Sequence, residues 1–404
     1  MHKFASLRHL RAFIAVAELG SVGKASTALC RAPSAITRSL RLLEDIFSVD
    51  LFERTADGLL CNASGNALLI RGRRIMREFE LGVAEARACA RCAALAASLP
   101  LPVTLFQERR LLSFVMLAES GHLPTVAQAL GISQQAISGA IGAIEAGLGV
   151  ALFEHTPQGM RKTVAGECLA LRAKRALAEL RHIEDDLAAL KGSTEGRVVI
   201  GTLPLGRTAI LSRAIAAVAR QHPQLRFATV EGPFDTLAYA LRAGDIDFVL
   251  GALRPAGYAA DLAGEALLTD CMSVIARAHH PLAARTGLRV CDLMQSQWIL
   301  SNPGTPARML FDLSFCATQL APPREAVETS DLAVLRGLLL HSDMITAISA
   351  RQLQYEISAG ILTVLDIQLP HTCRVIGITQ RAESRPSPGA LVLMEAIRAM
   401  ASST

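Results

Sequence analysis

The chain repeats itself. When its 404-residue sequence is shifted by 101 positions, residues 7–65 align with residues 108–166 without a gap, and 18 of the 59 positions are identical. The identities include Phe13/Phe114, Ala17/Ala118, Glu18/Glu119, Gly20/Gly121, Ala35/Ala136, Ile36/Ile137 and Glu44/Glu145. They also include Leu51-Phe52-Glu53 against Leu152-Phe153-Glu154, and Gly65 against Gly166. Two copies are too few for a stacked solenoid, in which each unit covers the next. A duplicated domain accounts for them better.

Each copy reads as three short helices and a hairpin. Leu10, Phe13, Ile14 and Ala17 recur at helical spacing, and Gly20 stands where a helix C-terminus favours positive φ. A second helix is expected over 24–29 and a third over 33–47. In the second copy Gly131 permits a tight turn and Ser133 is a natural N-cap. Two helices joined in this way form a helix-turn-helix, whose second helix can enter the DNA major groove. The stretches from Leu51 to Arg54 and from Leu152 to His155, each followed by a glycine, predict a small β wing.

The copies differ where DNA chemistry would lie. Arg31, Arg38 and Arg41 stand in or beside the first recognition helix, with Pro33, Ser34 and Thr37 on it and Arg54 in the wing. A guanidinium grips phosphate oxygens or forks onto guanine. The second copy has Gly139 and Gly142 in place of Arg38 and Arg41, each weakening a helix by about 1 kcal/mol relative to alanine. It keeps Ser133, Gln134, Gln135 and Ser138, and its wing carries Arg161 and Lys162. A solvated helix face is the plain alternative for Arg38 and Arg41. The expectation is that copy one grips phosphate while copy two adds weaker or sequence-reading contacts. If copy two makes none, it serves as a protein-interaction module.

Both copies resemble the winged helix-turn-helix of LysR-type regulators. Copy one carries that signature in Pro33-Ser34-Ala35-Ile36-Thr37-Arg38, Glu44, Leu51-Phe52-Glu53-Arg54 and Ala63-Ser64-Gly65, although Ala32-Pro33 replace the usual Ser-Gln start. Copy two carries it in Ser133-Gln134-Gln135-Ala136-Ile137-Ser138, Glu145, Gly149, Leu152-Phe153 and Thr163-Val164-Ala165-Gly166.

After copy two, Leu169, Ala173, Ala176, Leu180, Ile183, Leu187 and Leu190 recur in alternating steps of four and three, a heptad seam. The family resemblance implies a linker helix that pairs with another subunit, giving a homodimer or homotetramer. The matching stretch after copy one, Ile75, Phe79, Gly82, Ala86, Cys89, Ala93 and Ala96, has smaller residues and reads as a poorer, intramolecular pair ended by Leu99-Pro100.

From Gly196 strands alternate with helices, which implies an α/β domain with a largely parallel sheet. The segment resembles the LysR effector domain through Gly244-Asp245-Ile246-Asp247-Phe248, His280-Pro281-Leu282-Ala283 and a closing helix from Pro388. Local details look most like a subgroup that regulates sugar or aromatic-acid catabolism. The resemblance implies a multidomain chain: two all-α winged helix-turn-helix domains with linker helices, then a two-lobed α/β effector domain with the type II fold of periplasmic solute-binding proteins. The expected divisions are 5–66 and 107–167 for the modules, 67–106 and 168–194 for the linkers, and 195–404 for the effector domain. Lobe I takes 195–268 and 371–404, and lobe II takes 269–370.

Ligands in such folds sit beyond the carboxyl ends of strands. Candidates lining the cleft are Thr202 and Leu203 after the first strand, Gly304 and Thr305 in a Pro/Gly loop, and Thr329 and Ser330 at a helix start. Their hydroxyls and N–H groups suit a carboxylate or sugar hydroxyls, with ordinary capping as the alternative. His279-His280 reads as surface loop.

Composition excludes other classes. No run of eighteen apolar residues and no secretory leader stand out, so the chain is expected in the cytoplasm and off the membrane. Aromatics make up only 4%, which disfavours stacked-base recognition of single strands. Nine cysteines without regular spacing read as mostly buried thiols, and Cys89-x-x-Cys92 as helix packing. No Walker loop, nucleophile elbow or zinc-protease motif occurs, so no enzyme, cofactor or metal is expected. The expected partners are double-stranded DNA, an organic acid or sugar, further copies of the chain, and RNA polymerase. A solute-binding protein without DNA function is the remaining alternative.

Overall fold

The computed structural model describes residues 6–55, 58–89, 101–157, 159–206, 209–255 and 257–402. The helix break at Leu99-Pro100 and residues Cys92, Ala93 and Ala96 lie outside them.

The two repeats fold alike, element for element. Copy one runs α1 (Leu7–Leu19), α2 (Val22–Leu29), α3 (Pro33–Phe47), β1 (Phe52–Thr55), β2 (Gly58–Cys61) and α4 (Ala63–Cys89). Copy two runs α5 (Glu108–Ser120), α6 (Leu123–Leu130), α7 (Gln134–Leu148), β3 (Phe153–Thr156), β4 (Gly159–Lys162) and α8 (Val164–Leu190), each element matching its counterpart in length. The shared residues explain the shared shape. Phe13 packs on Phe52 with ring centroids 5.3 Å apart, and Phe114 on Phe153 at 5.8 Å. The carboxylates of Glu44 and Glu145 accept the N–H of Leu51 and Leu152 at 3.1 and 2.7 Å, tying each recognition helix to its wing. At Gly65 and Gly166 a Cβ would lie 2.1 Å from the carbonyl oxygens of Leu51 and Leu152, so no larger residue fits.

The turns differ in chemistry. Gly131 takes φ +64° and the Ser133 hydroxyl accepts the Ala136 N–H at 3.1 Å. In copy one Cys30 takes the left-handed conformation at φ +51°, and Pro33, with its fixed φ, opens α3 in place of a side-chain cap.

Helices α4 and α8 lie antiparallel, because Arg71 near the start of α4 meets Glu179 and Asp186 near the end of α8, while Gly82 meets Leu169 and Arg172. This corrects the heptad reading. The seam Leu169, Ala173, Ala176, Leu180, Ile183 and Leu187 is buried inside the chain, in the same apolar core as Ile75, Phe79, Val83 and Ala86 of α4. The small residues of α4 do not make a poorer pair. A Cβ on Gly82 would stand 2.9 Å from Arg172 Cβ, so glycine sets the close approach of the two helices.

Beyond the head lie two lobes. Lobe I is a five-stranded sheet in the order β6 (Leu225–Glu231), β5 (Gly196–Thr202), β7 (Phe248–Ala252), β14 (Arg374–Arg381), β8 (Leu262–Asp270). The first three strands are parallel, and β14 runs antiparallel to both neighbours. Alternation along β5 sends Val198 and Ile200 to the face covered by α9 (Ala209–Gln221) and the closing helix Pro388–Ser402, and Val199 to the face under α10 (Phe234–Ala243). Lobe II has the order β11 (Glu325–Glu328), β10 (Trp298–Leu300), β12 (Ile345–Ser349), β9 (Met272–Arg277), β13 (Leu362–Val364). Trp298 packs edge-on against Phe311 and Phe315 of α11 (Pro306–Ala317), while Ile299 faces Leu335 and Leu339 of α12 (Leu332–His341).

Two expectations about single residues fail. His280 is buried, with Nε2 3.1 Å from the Asp343 carbonyl and Nδ1 accepting the Leu282 N–H, so it holds a turn rather than lying in solvent. The cysteines are not mostly buried thiols either. Cys271 and Cys373 form a disulfide, and the six described free cysteines are all exposed or half-buried. Asp270 at the end of β8 pairs with Arg374 at the start of β14, so the residues at the two crossings between lobes stand side by side, with the bridged cysteines 102 apart in sequence.

Candidate nucleic-acid interface and effector cleft

Helix α3 buries Ile36, Ser39, Leu40 and Leu43 and turns the rest outward. Pro33, Ser34, Arg38 and Arg41 are exposed, as is Arg54 on the wing, while Thr37 is half-buried with its hydroxyl on the Pro33 carbonyl. In copy two Ser133, Gln134, Gln135 and Ser138 share the matching exposed face, and Ile137, Ile141 and Ile144 face the core. Arg161 is exposed but bonds Glu154 across the wing at 3.0 Å, and Lys162 is half-buried. Only open space lies where Gly139 and Gly142 would carry side chains, so that face is smooth.

Arg31, half-buried just before α3, joins residues that the motif reading passed over. Arg8, Arg11 and Arg31, with Leu29, Val103 and Phe106, line a cleft of about 240 Å³. Arg11 lies over the Phe106 ring at 4.9 Å, and among the described residues no carboxylate pairs with these three arginines. Burial lowers the pKa of His9, and the charges of Arg31, Arg8 and Arg38 lower it further. Arg8, Arg11, Arg31 and Arg38 thus form a patch of positive charge running from α1 onto α3, without a carboxylate partner among the described residues. The sequence held one sign of it: Arg8 recurs as Arg109.

The effector candidates sit at the carboxyl ends of parallel strands. Thr202 ends β5, and Leu203 follows with its N–H on the Leu250 carbonyl. Gly304 and Thr305 follow β10, and the Thr305 hydroxyl caps α11 by accepting the Arg308 N–H at 3.3 Å. Thr329 and Ser330 follow β11, but neither caps α12. Asp331 does so, accepting from Ala333 and Val334, while Thr329 accepts the Asp331 N–H. Gln352, which follows β12, donates to the Pro204 carbonyl at 2.7 Å. That bond joins the lobes and sets the strand ends of one opposite those of the other. The Thr202 hydroxyl is buried and has no hydrogen-bond partner among the described residues.

Two cations at this end of lobe I escaped sequence reading. Arg254 follows β7 and lies 4.2 Å over the Phe234 ring. Arg374 opens the antiparallel β14 beside it, and its pKa is lowered by burial and then by Arg254. Neither pairs with a carboxylate among the described residues. Among those residues there is also no cluster of His, Cys, Asp and Glu that could hold a metal, and no helix long and apolar enough to cross a membrane.

Winged helix-turn-helix modules on a two-lobed α/β domain define a DNA-binding transcriptional regulator. The chain belongs to the LysR family. The profile of the bacterial regulatory helix-turn-helix protein of the lysR family matches residues 7–66 and again 109–167, and that of the LysR substrate binding domain matches 191–402. Among curated proteins the chain is similar to the HTH-type transcriptional regulator GalR of Pseudomonas putida, at 47% identity over 398 residues, covering 97% of this chain and 96% of GalR. It is similar to GbpR of Azospirillum brasilense at 29% over 293 residues, covering 72% of this chain and 85% of GbpR. Among solved structures, a full-length OxyR variant from Pseudomonas aeruginosa matches with a TM-score of 0.55 at 24% identity, covering 72% of this chain and 93% of that one. CbnR matches with 0.51 at 21%, covering 72% and 98%; these two speak to the fold alone. Named relatives are regulators rather than enzymes, and GalR aligns through both repeats.

Proposed function

We propose that this regulator binds specific double-stranded DNA through its recognition helices and is switched by a small metabolite held between the lobes. The observation that carries the reading is the set Arg31, Arg38, Arg41 and Arg54 on one helix-turn-helix, without carboxylate partners among the described residues and with the last three exposed. It stands together with the strand ends of the two lobes, which the bond of Gln352 to the Pro204 carbonyl holds near each other. Arg254 and Arg374 favour an anionic metabolite, an organic acid, over a neutral sugar, and the Thr202 hydroxyl offers it a hydrogen bond. Gly304, Thr305, Thr329 and Ser330 supply polar groups from the other lobe. Contact with RNA polymerase and assembly into a homodimer or homotetramer complete the reading.

Footprinting on DNA upstream of the gene, with and without candidate acids, tests it: a protected segment that changes on adding one acid is expected. Arg38→Ala should weaken binding about tenfold or more and lower the salt slope by about 1. A footprint untouched by Arg38→Ala would remove α3 from the interface. For the cleft, calorimetry on Thr202→Val should record a loss of about tenfold in affinity for the acid that alters the footprint, and an unchanged value would strike Thr202 from the site.

A further inference from the structure

The contacts between the two copies are reciprocal. Arg71 of α4 bonds Glu179 and Asp186 of α8, and Arg172 of α8 bonds Glu78 and Glu85 of α4. Subtracting the 101-residue repeat turns one set into the other: Arg172 is the counterpart of Arg71, Glu179 of Glu78, and Asp186 of Glu85. Arg74 on Glu179 and Arg175 on Glu78 repeat the pattern. The recognition helices are tied in the same crossed way. Arg87 at the end of α4 donates to the Leu148 carbonyl that closes α7, and Lys191 beyond α8 reaches the Phe47 and Ser48 carbonyls that close α3. A surface in which residue i meets residue j of the other copy, while j meets i, is what a two-fold axis generates between identical subunits. Here both sides belong to one chain.

We infer that a single chain forms a complete two-fold DNA-reading head, spanning two half-sites without a second subunit, and that those half-sites differ in sequence. The reading rests on the DNA-binding function proposed above. Two modules related by a dyad match the dyad of duplex DNA, with half-sites about one helical turn, or about 10 base pairs, apart. The seam that another head would need is already filled, by the apolar core between α4 and α8. The half-sites differ because the two readers differ. Helix α3 presents Arg38 and Arg41, suited to guanine edges and phosphates. Helix α7 presents Gln134, Gln135 and Ser138 beside two glycines, suited to adenine edges.

Selection of binding sites from a random duplex pool by the full-length chain, followed by native mass measurement on the selected duplex, tests the inference. Two unlike half-sites per bound chain are expected. Arg38→Ala should weaken selection at one half-site only, and Gln134→Ala with Gln135→Ala at the other only, each by about tenfold. All these residues are exposed, so the variants fold. A motif with one half-site per chain, or one that ignores the glutamine changes, overturns the inference and leaves DNA binding intact. A pool with no enriched motif overturns both.

Discussion

At the scale of single residues, partners decide what a charged group does. Arg38 and Arg71 are the same residue type, yet one is exposed on a recognition helix and the other is buried within two carboxylates and two backbone carbonyls. Burial opposes the charge of Arg71, but Asp186 and Glu179 outweigh it and hold its pKa above the ordinary value. Asp185 is the reverse case. Burial, chiefly, and then the charges of Asp247, Asp186 and Glu184 raise its pKa to about 6, against an opposing effect of His182. An acid whose folded pKa exceeds its unfolded one stabilises the fold fully below about pH 4 and loses that contribution as pH rises through 6. Asp185→Asn should therefore raise stability at pH 7 by an amount on the order of 1–2 kcal/mol and flatten the stability profile between pH 4 and 6. Melting curves across that range measure it, and an unchanged slope would show that Asp185 is not the group responsible.

At the scale of elements, the pairing of α4 with α8 is what joins the two repeats. Its two arginine sites are related by the repeat but not equally sealed. Arg71 is fully buried and also bonds the Arg385 and Pro386 carbonyls of the effector domain, whereas Arg172 keeps 18% of its side chain exposed. Removing Arg71 takes the one fully buried cation from Glu179 and Asp186 and leaves them Arg74 at 2.7 Å and Arg385 at 3.8 Å, both partly exposed, a loss of about 3 kcal/mol. Arg172→Ala, with water to replace the guanidinium, should cost about 1 kcal/mol. Denaturant midpoints of the two variants measure the difference, and equal losses would contradict the burial argument. The helix pair was half legible beforehand. The heptad in α8 announced a buried seam, but periodicity names no partner, and the small residues of α4 looked weak until their close packing against Arg172 and Leu169 was seen.

At the scale of the whole molecule, the effector domain is fastened to the head at several points. Lys174 of α8 bonds Glu119 of copy two and Asp245 of lobe I, Arg181 donates to the Gly244 carbonyl, and Arg74 to the Glu383 carbonyl. The lobes are tied to each other where the chain crosses, by Cys271–Cys373, and across the cleft by Gln352 on Pro204. Proteolysis of the unreduced protein should release one peptide pair joined through these two cysteines, which separates on reduction. Finding both as free thiols in unreduced protein would show the crossing unbridged. No spacing rule could have paired them, since their 102-residue separation is closed only by β8 lying against β14.

Local chemistry fixed much of this chain before any folding was considered. The 101-residue self-match, the glycines at 20, 65, 121 and 166 and the cap at Ser133 specify two winged modules, because backbone conformation and apolar spacing act over a few residues. The alternating strands and helices after Gly196 specify an α/β domain in the same way, while its two lobes were implied only by the family resemblance. Only the tertiary structure decided that the modules face each other inside one chain, that Arg8 and Arg11 join Arg31, that Arg254 and Arg374 meet at the Thr202 end of lobe I, and that Cys271 reaches Cys373. Each of these depends on residues brought together from distant parts of the sequence, and a linear pattern carries no record of which surfaces will bury one another.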